Sequence, residues 1–130
     1  MATGIGLGVS RFPFDSARDY WRWIDYCEES RINSIWQTDR LVSSEAMLEC
    51  LSAMAAIAGH TEHIRFGMNV ASIALRDPLL TAKQCATIDF LSDGRMLPAF
   101  GLGSAFSRDY VATGTPTKRR GKRADEALQL

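Results

Sequence analysis

The chain has 130 residues, 46% of them hydrophobic and 23% charged, which is the balance of an ordinary folded domain and excludes a wholly disordered chain. This length suits one domain, covering residues 1–130, without a second independent unit. The 15 lysines and arginines balance the 15 aspartates and glutamates, so no general attraction to nucleic acid or to an anionic membrane is expected, and neither is predicted as a partner.

Four short apolar segments predict β-strands, and their starts lie roughly 30 residues apart, the length of one strand–helix–return unit. In chain order they cover residues 5–9, 34–38, 64–70 and 96–102. None of them alternates polar with apolar residues, which is typical of strands covered on both faces, as in a parallel sheet.

Amphipathic segments predict a helix after each strand. These helices run from a cap at Asp15 or Ser16 to about Arg31, from near Ser43 or Ser44 to Gly59, from Pro78 to about Leu91, and from after Pro116 to Leu130. The third has the strongest start signal, because Asp77 can cap it and Pro78 suits the first helical position.

This repeated order of strand and helix predicts an α/β fold, in which right-handed crossovers place the helices on one side of a parallel sheet. Such a sheet curls toward a (β/α)8 TIM barrel, and four βα units are the N-terminal half of one. Three possibilities stay open: part of a longer protein, two copies that complete each other, or an open doubly wound sheet. We favour the first, because an isolated half leaves sheet edges and an apolar inner face in water.

Cysteine usage and the lack of a targeting signal predict a cytoplasmic protein. The three cysteines, Cys27, Cys50 and Cys85, are odd in number and far apart, which argues against a disulfide framework. No charged segment precedes a short apolar one at the start, and no apolar run approaches about 18 residues.

Polar residues follow the second strand, where reactive groups of a barrel collect. Asp39 could accept a hydrogen bond from a ligand, and Arg40 could hold an anionic group. A salt bridge within the loop or a cap for the following turn is the alternative for both.

Small residues close the third and fourth strands. Asn69, Val70 and Ala71 would permit a bulge and a close approach to a flat ligand, with an ordinary strand end as the alternative. The glycines at 101 and 103 would also let a ligand approach the backbone. They do not complete the dinucleotide fingerprint G-x-G-x-x-G, because Phe106 stands at its last position.

Two further motifs predict solvated surface rather than a site. His60 and His63 do not form the H-E-x-x-H pattern and precede a strand, so a polar turn and no metal site are expected. The basic cluster at 118–123 is followed by Asp125 and Glu126, which favours an exposed helix start.

Residues 34–41 and 64–103, above all 75–84 and 91–95, resemble the luciferase-like monooxygenase superfamily over nearly the whole chain. The resemblance implies the N-terminal half of a TIM barrel and an oxidoreductase or monooxygenase that uses reduced FMN or coenzyme F420. It also implies a small-molecule substrate and a homo-oligomer. A non-catalytic half barrel that self-associates into a homodimer is the alternative.

The resemblance also implies roles for individual residues. Asp39 and Arg40 fall where the family has ligand-facing groups, and Asp39 becomes the candidate catalytic residue because Arg40 stands in place of a common histidine. The Asn69–Val70 junction, followed by Ala71, falls where relatives hold a non-prolyl cis peptide behind the flavin ring.

Gly101, Gly103 and Ser104 correspond to positions beside the ring and ribityl chain of the coenzyme. The resemblance further implies that the coenzyme phosphate is held by later barrel strands, which this chain lacks. We therefore expect the 130-residue chain alone to bind flavin weakly or not at all.

Overall fold

A computed structural model describes residues 4–130 and has the parallel sheet of a partial TIM barrel, which confirms the predicted fold class. The first strands are β1 (Gly6–Val9), β2 (Ser34–Gln37) and β3 (Arg65–Met68). They are followed by β4 (Ala71–Ser72), β5 (Met96–Leu97) and β6 (Phe100–Gly101). The main sheet has the order β1–β2–β3–β5, and β4 pairs in parallel with β6.

The third and fourth predicted strands are each divided in two, and the division contains a bulge. Phe66 lies opposite Met96, whereas Ala71 lies opposite Phe100, so the third strand holds one more residue between the paired positions than the fourth. One extra residue on one strand defines a β-bulge, as predicted for this segment. On the fourth strand the break falls at Pro98, which has no N–H to donate to a neighbour.

Five α-helices connect or follow the strands: α1 (Ala17–Glu29), α2 (Cys50–His60), α3 (Pro78–Leu91), α4 (Arg108–Ala112) and α5 (Arg120–Ala127). A single 3-10 turn covers Ile73–Leu75. The predicted caps of the first and third helices are correct: the Ser16 hydroxyl accepts from the Asp19 N–H, and the Asp77 carboxylate accepts from the Leu80 N–H.

The predicted start of the second helix near Ser43 or Ser44 is wrong, because α2 begins at Cys50. The carboxylate of Glu49 accepts hydrogen bonds from the N–H groups of Leu51 and Ser52 and so fixes the start there. The helix predicted after Pro116 begins only at Arg120, and α4 was not predicted.

The core lies between the sheet and the helices α1 to α3. Its most deeply buried side chains include Ile24, Ile35, Met54, Ile57 and Phe66. At the free edge of β1, Ile5 and Leu7 keep 62% and 38% of their surface exposed. Within residues 4–130, no helix has both the length and the apolar character needed to cross a bilayer.

Candidate functional site

A cleft of about 520 Å³ opens beyond the carboxyl ends of β2, β3 and β6. Parallel α/β barrels place their ligand sites at this end of the sheet. Six of the eight predicted site residues line the cleft: Asp39, Arg40, Asn69, Val70, Gly103 and Ser104. The other two, Ala71 and Gly101, lie in the paired strands β4 and β6 directly behind it.

The floor of the cleft contains the predicted non-prolyl cis peptide bond between Asn69 and Val70. The Asn69 N–H donates to the Gln37 carbonyl at 2.8 Å, and the Ala71 N–H donates to the Ala99 carbonyl at 2.9 Å. These hydrogen bonds anchor the junction to strands on both sides. Val70 itself is 40% exposed and faces the cleft.

Two glycines leave room beside this junction. A Cβ atom at Gly101 would lie 2.6 Å from Cγ2 of Val70, so only glycine allows Val70 its present position. Gly103 has a φ of +65°, and a Cβ there would lie 2.9 Å from Oγ of Ser72. The backbone next to Gly103 is held by the Tyr110 hydroxyl, which donates to the Leu102 carbonyl at 2.7 Å.

Asp39 directs its carboxylate into the protein. Its side chain is only 3% exposed; Oδ2 accepts from the Ser72 N–H at 3.0 Å, and Oδ1 accepts from Nη2 of Arg76 at 2.7 Å. Asp39 therefore forms an ion pair, but with a residue 37 positions along the chain and not within its own loop. Its partner Arg76 was not predicted, although it stands within the characteristic segment 75–84.

Arg76 binds three groups at once. Besides Asp39, its guanidinium donates to Oε1 of Glu49 at 3.0 Å and to Sγ of Cys50 at 3.3 Å. The ligand atoms of these three residues lie within 4.8 Å of one another, a spacing that would suit a metal ion. Because the Arg76 guanidinium already donates to all three residues, it occupies the place that a metal ion would take.

Burial and charge alter the acidities in this cluster. Burial raises the pKa of the Cys50 thiol well above its usual range, and the nearby Asp39 carboxylate adds to the effect. Burial also acts to raise the pKa of Glu49, but hydrogen bonds from Ser52 and Leu51 and the charge of Arg76 lower it overall. Cys50 is thus a neutral thiol and Glu49 a carboxylate at neutral pH.

The rim of the cleft is closed by a contact that sequence reasoning missed. Asp109, in the short helix α4, is buried and accepts from the Val42 N–H at 2.7 Å through Oδ1. Its other carboxylate oxygen accepts from the Ser107 hydroxyl at 3.0 Å. This carboxylate joins the loop after β2 to the loop after β6, and no local pattern in the sequence marks it.

Parallel strands covered by helices, with a cleft beyond their carboxyl ends, define the βα-barrel class, in which such a cleft is the usual ligand site. Within that class, the luciferase-like monooxygenase family matches residues 2–130. The chain belongs to this family.

Relatives in sequence are much longer than this chain. An uncharacterized protein of Mycobacterium tuberculosis is 31% identical over 90 residues, covering 68% of the chain and 31% of that protein. The 5,10-methylenetetrahydromethanopterin reductase of Methanopyrus kandleri is 25% identical over 114 residues, covering 88% of the chain and 32% of the reductase. The chain thus spans about a third of the length of these curated relatives.

Solved structures share the fold. The oxygenating constituent of 3,6-diketocamphane monooxygenase from Pseudomonas putida, in complex with FMN, matches with a TM-score of 0.82 and 20% identity, covering 98% of this chain and 38% of that one. The coenzyme F420 dependent reductase of M. kandleri matches with a TM-score of 0.69 and 22% identity, covering 86% and 30%.

Proposed function

We propose that this chain carries the coenzyme-contacting part of an oxidoreductase that uses reduced FMN or coenzyme F420 on a small-molecule substrate. The observation that carries the proposal is the open cleft beyond the carboxyl ends of β2, β3 and β6, whose lining includes Asn69, Val70, Gly103 and Ser104. Support comes from the similar structures, one holding FMN and one described as coenzyme F420 dependent. Whether the reaction is that of a monooxygenase or a reductase depends on the whole protein and not on this part of it alone.

The residues of the cleft fit a flat coenzyme ring. A volume of about 520 Å³ lies within the usual range for ligand sites. The glycines at 101 and 103 keep the space beside Val70 and Ser72 free, and any larger residue would project into neighbouring atoms. Val70 would back the ring, while Asn69 and Ser104 would offer polar contacts at its edge.

When bound, the coenzyme would supply the redox chemistry, and the protein would position it. The Asp39 carboxylate binds the Ser72 N–H and thereby holds β4 against the loop after β2. Because both of its oxygens are engaged internally, we assign Asp39 a positioning role in place of the predicted catalytic contact with a ligand. Arg40 is exposed at the cleft and is the charged group that faces a ligand.

The test is a titration of the isotope-labelled chain with FMN and with coenzyme F420, followed by NMR chemical shifts, which detect even millimolar binding. We expect the amide signals of residues 69–72 and 101–104 to move with one of the coenzymes. Gly101→Leu should abolish these shifts, because its side chain would displace Val70 into the cleft. Gly59→Ala, at a position with open space, is the control. Coenzyme-induced shifts confined to residues outside 69–72 and 101–104 would refute the proposal.

A second candidate is self-association of the half barrel into a homodimer. Within the described residues, β1 and β5 each have one neighbour in the main sheet, and Ile5 and Leu7 are exposed beside the free edge of β1. Such apolar edges favour pairing with another chain. Light scattering should then give the mass of a dimer for the wild type and of a monomer for Leu7→Lys, whereas a wild-type monomer would exclude this candidate.

We also propose a cytoplasmic location, supported by the free state of all three cysteine thiols.

A further inference from the structure

The charged side chains around the cleft differ in their exposure to solvent. Two carboxylates and two guanidinium groups line it: Asp39, Asp109, Arg40 and Arg108. Both aspartates are buried, whereas both arginines are exposed. We propose that Arg40 and Arg108 form an anion-binding subsite that holds a carboxylate or phosphate group beside the coenzyme ring.

Internal donors hold the carboxylates of the two aspartates inside the protein, so neither forms an ion pair with these arginines. Asp39 binds Arg76 and the Ser72 N–H, and Asp109 binds the Val42 N–H and the Ser107 hydroxyl. In the part of the chain that the structure describes, neither Arg40 nor Arg108 forms a salt bridge. The exposed charged side chains that line the cleft are therefore both positive.

One buried contact ties together the two segments that carry the arginines. The 2.7 Å hydrogen bond from the Val42 N–H to Asp109 joins their segments, since Arg40 lies two residues before Val42 and Arg108 directly precedes Asp109. The positions of both arginines are thus tied to one another through a buried contact. A guanidinium group suits a carboxylate or phosphate, each of which accepts paired N–H donors.

Neutral donors complete the surroundings of this subsite. Thr38, Asn69 and Ser104 line the same cleft and can donate hydrogen bonds without adding charge. An anionic group would therefore meet two positive charges and several donors but no free carboxylate. The group belongs either to the coenzyme, as its phosphate, or to the substrate.

The experiment compares the 130-residue chain with the double variant Arg40→Gln/Arg108→Gln. The probes are FMN, riboflavin, succinate and inorganic phosphate, each titrated separately and followed by NMR. Riboflavin has the ring of FMN without its phosphate, so it reports the coenzyme cradle alone. Succinate and inorganic phosphate report the arginines alone. Separate probes for the ring and for the arginines are needed because the inference rests on the proposed function, but only in naming the coenzyme that lies beside the subsite.

The matched control is Arg31→Gln/Arg65→Gln, which removes the same charge at the opposite end of the sheet, where both residues are exposed. If the subsite holds the coenzyme phosphate, the first double variant should weaken FMN binding about tenfold and leave riboflavin binding unchanged. If it holds a substrate group, binding of succinate or inorganic phosphate should fall about tenfold while FMN is unaffected.

Either result supports the subsite, and the control variant should preserve binding of every probe. The inference is overturned if Arg40→Gln/Arg108→Gln binds all four probes as the wild type does, if the wild type binds no anionic probe, or if the control loses as much affinity. Riboflavin-induced shifts confined to residues outside the cleft would refute the proposed function and leave the succinate and phosphate measurements independent.

Discussion

The guanidinium of Arg76 and the carboxylate of Asp39 form a buried ion pair, with Nη2 and Oδ1 2.7 Å apart and side chains 13% and 3% exposed. The pair joins the loop after β2 to the segment between β4 and α3. Asp39 also accepts from the N–H of Ser72, which lies in β4. The pairing partner of β4 is β6, so on the side of β2 the Asp39 carboxylate binds the N–H that a neighbouring strand would otherwise bind. The ion pair therefore secures the wall of the cleft next to the cis junction.

Arg76→Met should destabilise the chain strongly. It would leave the buried Asp39 carboxylate without its positive partner, and breaking a buried pair in this way typically costs about 3–5 kcal/mol. Urea unfolding followed by tryptophan fluorescence measures the loss. The double variant Asp39→Asn/Arg76→Met, which removes both charges, should be more stable than Arg76→Met alone. A loss below about 1 kcal/mol in the single variant would show that solvent reaches Asp39.

Glu28 should make the stability of the chain depend on acid pH. Its carboxylate accepts from the N–H groups of Glu62, His63 and Ile64 at 2.7–2.9 Å. Burial alone would raise the pKa of Glu28, but these hydrogen bonds and the nearby His63 lower it overall.

A pKa below the unfolded value of about 4.3 means that this stabilisation is present at neutral pH and is lost as the pH falls through the folded value. Glu28→Gln should lower the free energy of unfolding by about 1–2 kcal/mol at pH 7, because an amide cannot accept all three bonds. The difference from wild type should shrink toward pH 3 in urea titrations. An equal difference at both pH values would contradict this assignment.

Gly67→Ala and Gly59→Ala should change stability in opposite directions. At Gly67, in β3, a Cβ would lie 2.1 Å from the Leu97 carbonyl oxygen, so the two strands would have to separate. We expect a loss of at least about 2 kcal/mol. Gly59 lies inside α2 with nothing within 4 Å, and alanine there should add about 0.5–1 kcal/mol. Thermal unfolding compares the two, and a neutral Gly67→Ala would mean that the strands are farther apart.

Comparing Gly103→Ala with Gly114→Ala should separate the effect of a positive φ on stability from the effect of an added methyl group on coenzyme binding. Both glycines have a φ of +65°, and alanine in that conformation costs about 1–2 kcal/mol at either position. Only at Gly103 does the new methyl group crowd the cleft, 2.9 Å from Ser72 Oγ, whereas nothing lies within 4 Å at Gly114. Both variants should lose similar stability, but only Gly103→Ala should weaken coenzyme binding. Equal coenzyme affinity would place the ring elsewhere.

Local sequence signals were sufficient for the order of the four strand regions and of every helix except the short α4. The caps of α1 and α3 use a short polar side chain that binds an N–H three residues later, so the sequence alone reveals them. The cis junction at Asn69 and Val70 was expected from the resemblance to a family and not from any local pattern.

The contacts that organise the cleft could not be read from the sequence. The Asp39–Arg76 pair spans 37 residues, and the Asp109–Val42 hydrogen bond spans 67. Each depends on which loops the parallel sheet brings together. The start of α2 was also misplaced, because serines at 43 and 44 are good caps while Glu49 is the residue that caps the helix.

The anchors at Val42 and Glu49 isolate a short stretch of chain between them. Residues 43–47 are joined to the rest of the protein only by an exposed contact between Glu45 and Arg11, among the hydrogen bonds and ion pairs of the described residues. This stretch can therefore change its composition without disturbing the wall on either side. It is an exchangeable insert that directly follows Val42 in the lining of the cleft, and its sequence can vary while the architecture beneath stays constant.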